Sequence, residues 1–144
     1  MNNTLKRKWR DVESIISKLQ LNHLLSYISD YWETYTPQVC SGKRSFAKLE
    51  RICDLVLFQK KPVITFKKIL LPNKINVTDF DPERKIALFL NNCDIWAFFS
   101  FLKEFEHTDL LPKRENFLIV GSECVPDRNC FCEKMGTDAF ASFD

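Results

Sequence analysis

The sequence predicts an α/β fold, a small mixed or parallel sheet with a βαβ unit in its second half and helices at the N-terminus. Three observations predict it. Residues 85–90 and 117–121 are short apolar runs of the kind that form buried strands. Between them, residues 95–105 are apolar on most sides, the pattern of a buried helix. Near the start, Val12, Ile15, Ile16 and Leu19, then Leu21, Leu24, Leu25 and Ile28, recur at helical spacing.

In chain order, Asn22 divides the N-terminal helical pattern into two short helices, and Tyr35-Thr36-Pro37 ends it, because proline restrains its own backbone and its predecessor's. Ser41-Gly42-Lys43 is a turn signal between residues 38–40 and 45–49, so a short hairpin is expected there. Residues 51–73 read as irregular and extended. The piece from Pro62 to Pro72 starts β-branched, which favours a strand, while its 66–71 part suits a helical turn equally. Asn92 or Asp94 is the expected N-cap of the 95–105 helix. Strand, helix and strand at this spacing normally mean parallel strands joined by a right-handed crossover.

The chain has 144 residues, the size of one domain, read here as a helical and hairpin part over 1–60 and a cysteine-bearing βαβ part over 61–144. Hydrophobic residues make up 45%, enough for a core, and 13 phenylalanines, mostly in the second half, predict an aromatic core there. With 21 basic and 19 acidic residues the net charge is +2, which does not argue for nucleic acid, a partner that usually needs a basic face or stripe, and none is expected. The Lys6-Arg7-Lys8-Trp9-Arg10 cluster reads as a solvated arm. No signal peptide is visible, and no apolar run approaches the ~18 residues of a membrane span. A cytoplasmic protein without membrane insertion is expected. Thiols stay reduced in that compartment, so six cysteines point to metal, catalysis or burial before disulfides.

The cysteines carry the chemistry. In an open α/β sheet, ligands gather at the carboxyl ends of the strands. Cys93 lies just beyond the first apolar strand and Cys124 just beyond the second. If those strands are parallel, both emerge at one edge, and Cys130 and Cys132 reach it through a short loop. Four thiolates suit an iron–sulfur cluster. Zinc also takes four, but usually from paired C-x₂₋₄-C knuckles, which the Cys130-Phe-Cys132 spacing does not match. The spacing also misses the common ferredoxin run. Cluster, zinc, and buried or redox-active cysteines all stay open on spacing alone. A place at a helix N-terminus would favour anionic ligands at Cys93 and would equally suit a reactive thiol. Cys40 and Cys53 read as buried and inert. His23 and His107 read as structural, with no cysteine beside them to make a hydrolase. Three glycines cannot build a phosphate loop.

The series Pro62-Val-Ile-Thr-Phe-Lys-Lys-Ile-Leu-Leu-Pro72, Cys93-Asp94 after an apolar strand, Lys113-Arg-Glu-Asn-Phe-Leu-Ile-Val-Gly121, Cys124, and Cys130-Phe-Cys-Glu-Lys-Met-Gly-Thr137 comes in a distinctive order. It resembles the N-terminal domain of the 4Fe–4S dicluster electron-transfer proteins, a family that includes the beta subunits of sulfhydrogenases and the corresponding component of anaerobic sulfite reductase. The resemblance covers residues 60–144, and the first sixty only loosely. It implies an electron-relaying subunit, not itself catalytic, between a flavin-bearing partner and a catalytic partner. It also implies a [4Fe–4S] centre held by Cys93, Cys124, Cys130 and Cys132, with structural zinc or a metal-free docking module as the alternative. The chain departs from the family in carrying Asn91-Asn92 where Arg-Pro is usual and Asp138-Ala139 where Gly-Pro is usual. Family members continue into a ferredoxin-like domain. This sequence ends at Asp144 without one, so a fragment, a truncated product or half of a split subunit is expected.

Overall fold

The computed structural model describes residues 17–40, 42–50, 65–71, 81–108 and 110–122, together with Cys130, Cys132, Lys134 and Gly136. Four strands form one sheet in the order β2-β1-β3-β4. They are β1 (Glu33–Cys40), β2 (Lys43–Lys48), β3 (Ile86–Asn91) and β4 (Phe117–Ser122), accompanied by helices α1 (Lys18–Tyr31), α2 (Phe66–Leu70) and α3 (Asn92–Glu104). The pair β1/β2 is antiparallel, whereas β1/β3 and β3/β4 are parallel. The mixed sheet and the β3-α3-β4 unit are those expected from the sequence.

Side chains alternate across the sheet, and the two faces have separate cores. On one face Ile86, Leu88 and Leu90 pack with Phe66, Leu70, Ile95, Phe98 and Phe117 beneath α2 and α3. On the other, Ala87 and Phe89 pack with Leu25 and Ile28 of α1, flanked by Leu21, Leu118 and Val120. Every residue of β3 is buried, as its unbroken apolar run requires. The expected aromatic core is present. Phe98 is fully buried, with the rings of Phe66 and Phe117 edge-on at 5.7 and 5.1 Å. Each such ring contributes about 1.5–3 kcal/mol through burial.

Several local expectations are corrected. The helix runs through Asn22 without a break. Ser17 caps it: Gln20 N–H donates to Ser17 Oγ at 3.2 Å, and Ser17 N–H donates to Gln20 Oε1 at 2.7 Å. An asparagine inside a helix costs at most about 0.7 kcal/mol, less than the packing of Leu21, Leu25 and Ile28 returns. The part of the predicted pattern before Ser17 lies outside the described residues.

Tyr35, Thr36 and Pro37 do not close a helical region; they lie inside β1. Leu49 N–H donates to Thr34 O, toward the β2 side, while Glu33 N–H donates to Lys85 O, toward β3. Hydrogen-bonding groups alternate along a strand, so position 37 faces the β3 side. The β1/β3 ladder ends at Tyr35↔Leu88, and Pro37, with no N–H to offer, sits beyond it.

The hairpin is present with longer arms than expected, pairing Tyr35↔Lys48 through Cys40↔Lys43. Gly42 in its turn has φ +74°, a conformation L side chains rarely adopt. Of the two readings for residues 66–71, the helical one holds as α2. Residues 51–64 and 72–80, including Cys53, lie outside the described residues. The N-cap of α3 is Asn91 and neither Asn92 nor Asp94, both of which lie inside the helix, so the last strand residue also opens the helix.

Candidate thiol site at the carboxyl edge of the sheet

The parallel register of β3 and β4 runs from Ile86↔Phe117 to Asn91↔Ser122. Both strands therefore end level with one another at one edge. The chain turns from β3 directly into α3, which makes Cys93 the second residue of the helix, half-buried and next to the buried Asn92. Asp94 lies in the same first turn, where its charge suits the positive end of the helix dipole. Beyond β4, Cys124 follows Ser122 by two residues and lies outside the described residues. Cys130 and Cys132 are described, and both are half-buried thiols. Among the described residues, no group of three or more His, Cys, Asp or Glu side chains is gathered so as to hold a metal ion.

The row that closes the sheet just before Cys93 is polar and buried. Asn91 and Ser122 are 5% and 7% exposed, and Ser122 Oγ–H donates to Asn91 Oδ1 at 3.1 Å. On β1, Gln38 is likewise buried, and its amide donates to the carbonyls of Ala47 and Lys48 at 3.0 and 2.9 Å. Sequence reasoning missed this row. For β3 and β4 the available signal was the polar residue following each apolar run, Asn91 and Ser122; Gln38 had no such signal. Cys40, read from sequence as inert, is the last residue of β1 and so ends its strand at this same edge.

The amino edge of the sheet is built differently. Arg84, just before β3, donates from Nη2 to Glu33 Oε2 and to the Tyr35 hydroxyl, each at 2.6 Å. The Tyr35 hydroxyl also donates to Glu33 Oε2 at 3.2 Å, and the Arg84 guanidinium lies over the Tyr35 ring. The hydrogen bond from Arg84 holds the Glu33 carboxyl below its ordinary value, and burial is opposed to it. Burial pushes the Tyr35 hydroxyl up, and the bond to Glu33 raises the Arg84 guanidinium further. A groove of about 450 Å³ opens here, lined by Trp32, Glu33, Lys48, Asp81, Arg84 and Lys85 among others. It lies at the other end of β3 from Cys93, and its charged side chains are partly tied to one another. We read it as the clasp between β1 and β3.

Compared with known proteins, this chain is 28% identical over 131 residues to sulfhydrogenase 2 subunit beta of Pyrococcus furiosus. It is distantly similar to a hydrogenase beta subunit. The similarity takes in 81% of this chain and 39% of that relative, so the chain spans well under half of the relative's length. No protein-family profile and no solved structure matches it. Among the described residues no helix is long and apolar enough to cross a membrane.

Proposed function

We propose that this chain is an electron-relaying component of a multi-subunit oxidoreductase, in which Cys93, Cys124, Cys130 and Cys132 hold a [4Fe–4S] cluster. The distant similarity to a hydrogenase beta subunit supports membership in a redox complex. The observation that carries the site is the parallel β3/β4 register, which brings Cys93 and the strand leading to Cys124 to one edge. The donor set fits the group, because thiolates are the ligands such clusters take. Half-burial of Cys93, Cys130 and Cys132 fits as well, since a shell around the sulfurs limits water. When bound, the cluster would supply a reversible electron store. The chain's own part is to present thiolates, with Cys93 in the first turn of α3, where the helix dipole favours negative charge. The flavin-bearing and catalytic subunits implied by the family resemblance are the partners in this reading, and substrate chemistry belongs to the catalytic one.

Anaerobic purification followed by iron and acid-labile sulfide analysis tests the reading. The expected result is four irons and four sulfides per chain, on the stoichiometry of a [4Fe–4S] centre, with broad visible absorbance. Cysteine-to-serine changes at the four positions should each lower both contents. Stoichiometric zinc without visible absorbance would replace the cluster with a structural metal. Folded protein with neither iron nor sulfide, alone or coexpressed with its partner subunits, overturns the proposal.

A further inference from the structure

We propose that the outer face of α3 around Trp96 and Phe99, with the Arg114 guanidinium beside them, is a docking surface for a partner subunit that presents a carboxylate next to an apolar side chain. The inference rests on the membership in a multi-subunit complex proposed above and needs no cluster.

Large apolar side chains scattered singly over a surface are ordinary. Here two stand together. Trp96 and Phe99 are 53% and 42% exposed and three residues apart on α3, a spacing that makes them neighbours on the helix surface. They lie away from the core side of the helix, where Ile95 and Phe98 pack.

The patch is held in one arrangement. The Phe99 ring meets the fully buried Phe98 ring edge-on at 5.7 Å. The Arg114 guanidinium lies over the Phe99 ring, 5.2 Å from its centre. Arg114 Nη1 also donates to Phe117 O at 2.8 Å, which ties the guanidinium to β4. A partner that meets these groups orders little that is not already ordered, and such ordering ordinarily subtracts from binding. Trp and Arg are also the residue types that carry most energy at interfaces.

The charge of Arg114 sets the partner's chemistry. Arg84 directs its charge inward, to Glu33. Arg114 is exposed and, among the described residues, makes no ion pair. Its one hydrogen bond there goes to a neutral carbonyl, while a guanidinium offers five N–H donors in a fixed fork. A carboxylate is the group that matches this fork. A second copy of this chain suits the patch poorly. A two-fold contact would set the patch against itself, and Trp96, Phe99 and Arg114 include no acid. A free small molecule suits it poorly as well, because such ligands take concave sites and the outside of a helix is convex. The distant similarity to a hydrogenase beta subunit supports a partner subunit as the occupant.

The test uses the full chain in its native cells, with photoreactive benzoylphenylalanine in place of Ser100, an exposed residue one turn from Trp96. Mass spectrometry maps the products of irradiation. The expected product joins position 100 to one segment of another protein that carries Asp or Glu beside apolar residues. Trp96→Ala and Arg114→Glu should each lower its yield about tenfold. Changing the mapped carboxylate of the partner to lysine should restore the yield with Arg114→Glu. Circular dichroism checks that each variant folds, and Arg114→Gln serves where the glutamate variant does not. Cross-linking of folded variants at the wild-type yield overturns the docking surface, as does the lack of any cross-link to another protein. Sedimentation of the purified chain should show a monomer, and a dimer that Trp96→Ala dissociates puts a second copy on the patch and overturns the proposal. Iron content separates this inference from the cluster reading. A cross-link that depends on Arg114 in a chain without iron overturns the cluster and leaves the docking surface, whereas a loaded chain whose cross-link ignores Arg114 overturns the docking surface alone.

Discussion

Arg84 is the residue on which the amino edge of the sheet depends. Its guanidinium reaches Glu33 and Tyr35 on β1 from a position just before β3. Glu33 is about a third exposed, so solvent screening discounts the pair. Arg84→Met should cost about 1 kcal/mol, read as a lower urea midpoint at neutral pH. The pH dependence has a definite sign. The Glu33 carboxyl titrates below 4.5 in the folded protein. Its contribution is fully present above the unfolded value of 4.5 and is lost as pH falls through the folded value. The difference between wild type and Arg84→Met should therefore shrink on acidification below pH 4.5. A gap of constant size from neutral to acid would show that Arg84 acts by packing alone.

Among the elements, the hairpin isolates one backbone requirement. A Cβ on Gly42 would meet nothing within 4 Å, so the cost of adding one is conformational and not steric. Gly42→Ala should destabilise by about 1 kcal/mol, measured by denaturant titration. Ser41-Gly42-Lys43 was legible because a turn needs such chemistry. Strand β3 was legible because burial on both faces leaves an unbroken apolar run. Helix α3 was legible because it is apolar along its length, although it is buried on one side only: Ile95 and Phe98 face the core while Trp96 and Phe99 are exposed. Strand β1 was not legible, since Thr34, Thr36 and Gln38 are polar yet buried. Gln38 is satisfied across the hairpin by the Ala47 and Lys48 carbonyls, while Thr34 donates to the Trp32 carbonyl and Thr36 accepts from Gln38, pairings that depend on the folded strand. Pro37 argued against a strand and is tolerated only because the β3 ladder stops before it.

For the whole molecule, the two edges of the sheet divide the work. The six residues of β3, at about 3.3 Å each, set the charged clasp and the thiol edge roughly 20 Å apart. The common edge at which β3 and β4 end, with Cys93 in the first turn beyond it, was legible as topology, since it needed only two parallel strands. The Asn91–Ser122 bond was not, because nothing in a sequence reports which residues of separate strands become neighbours. The order of motifs carried the distant similarity to a hydrogenase beta subunit further than spacing did, because C-x-C belongs to no single metal.

The short ladder between β1 and β3 has a consequence for the order of folding. Only three pairs, Glu33↔Ile86 to Tyr35↔Leu88, are registered between these strands, and they join distant parts of the chain. The α1-β1-β2 and β3-α3-β4 pieces are each wired locally, and closing a long loop costs entropy before its contacts form. We expect the hairpin to be formed in the transition state and the packing of α1 on β3 to complete after it. Stopped-flow kinetics would then show Gly42→Ala chiefly slowing refolding and Leu25→Ala, at the seam between the pieces, chiefly speeding unfolding. The reverse partition would mean that the seam closes first.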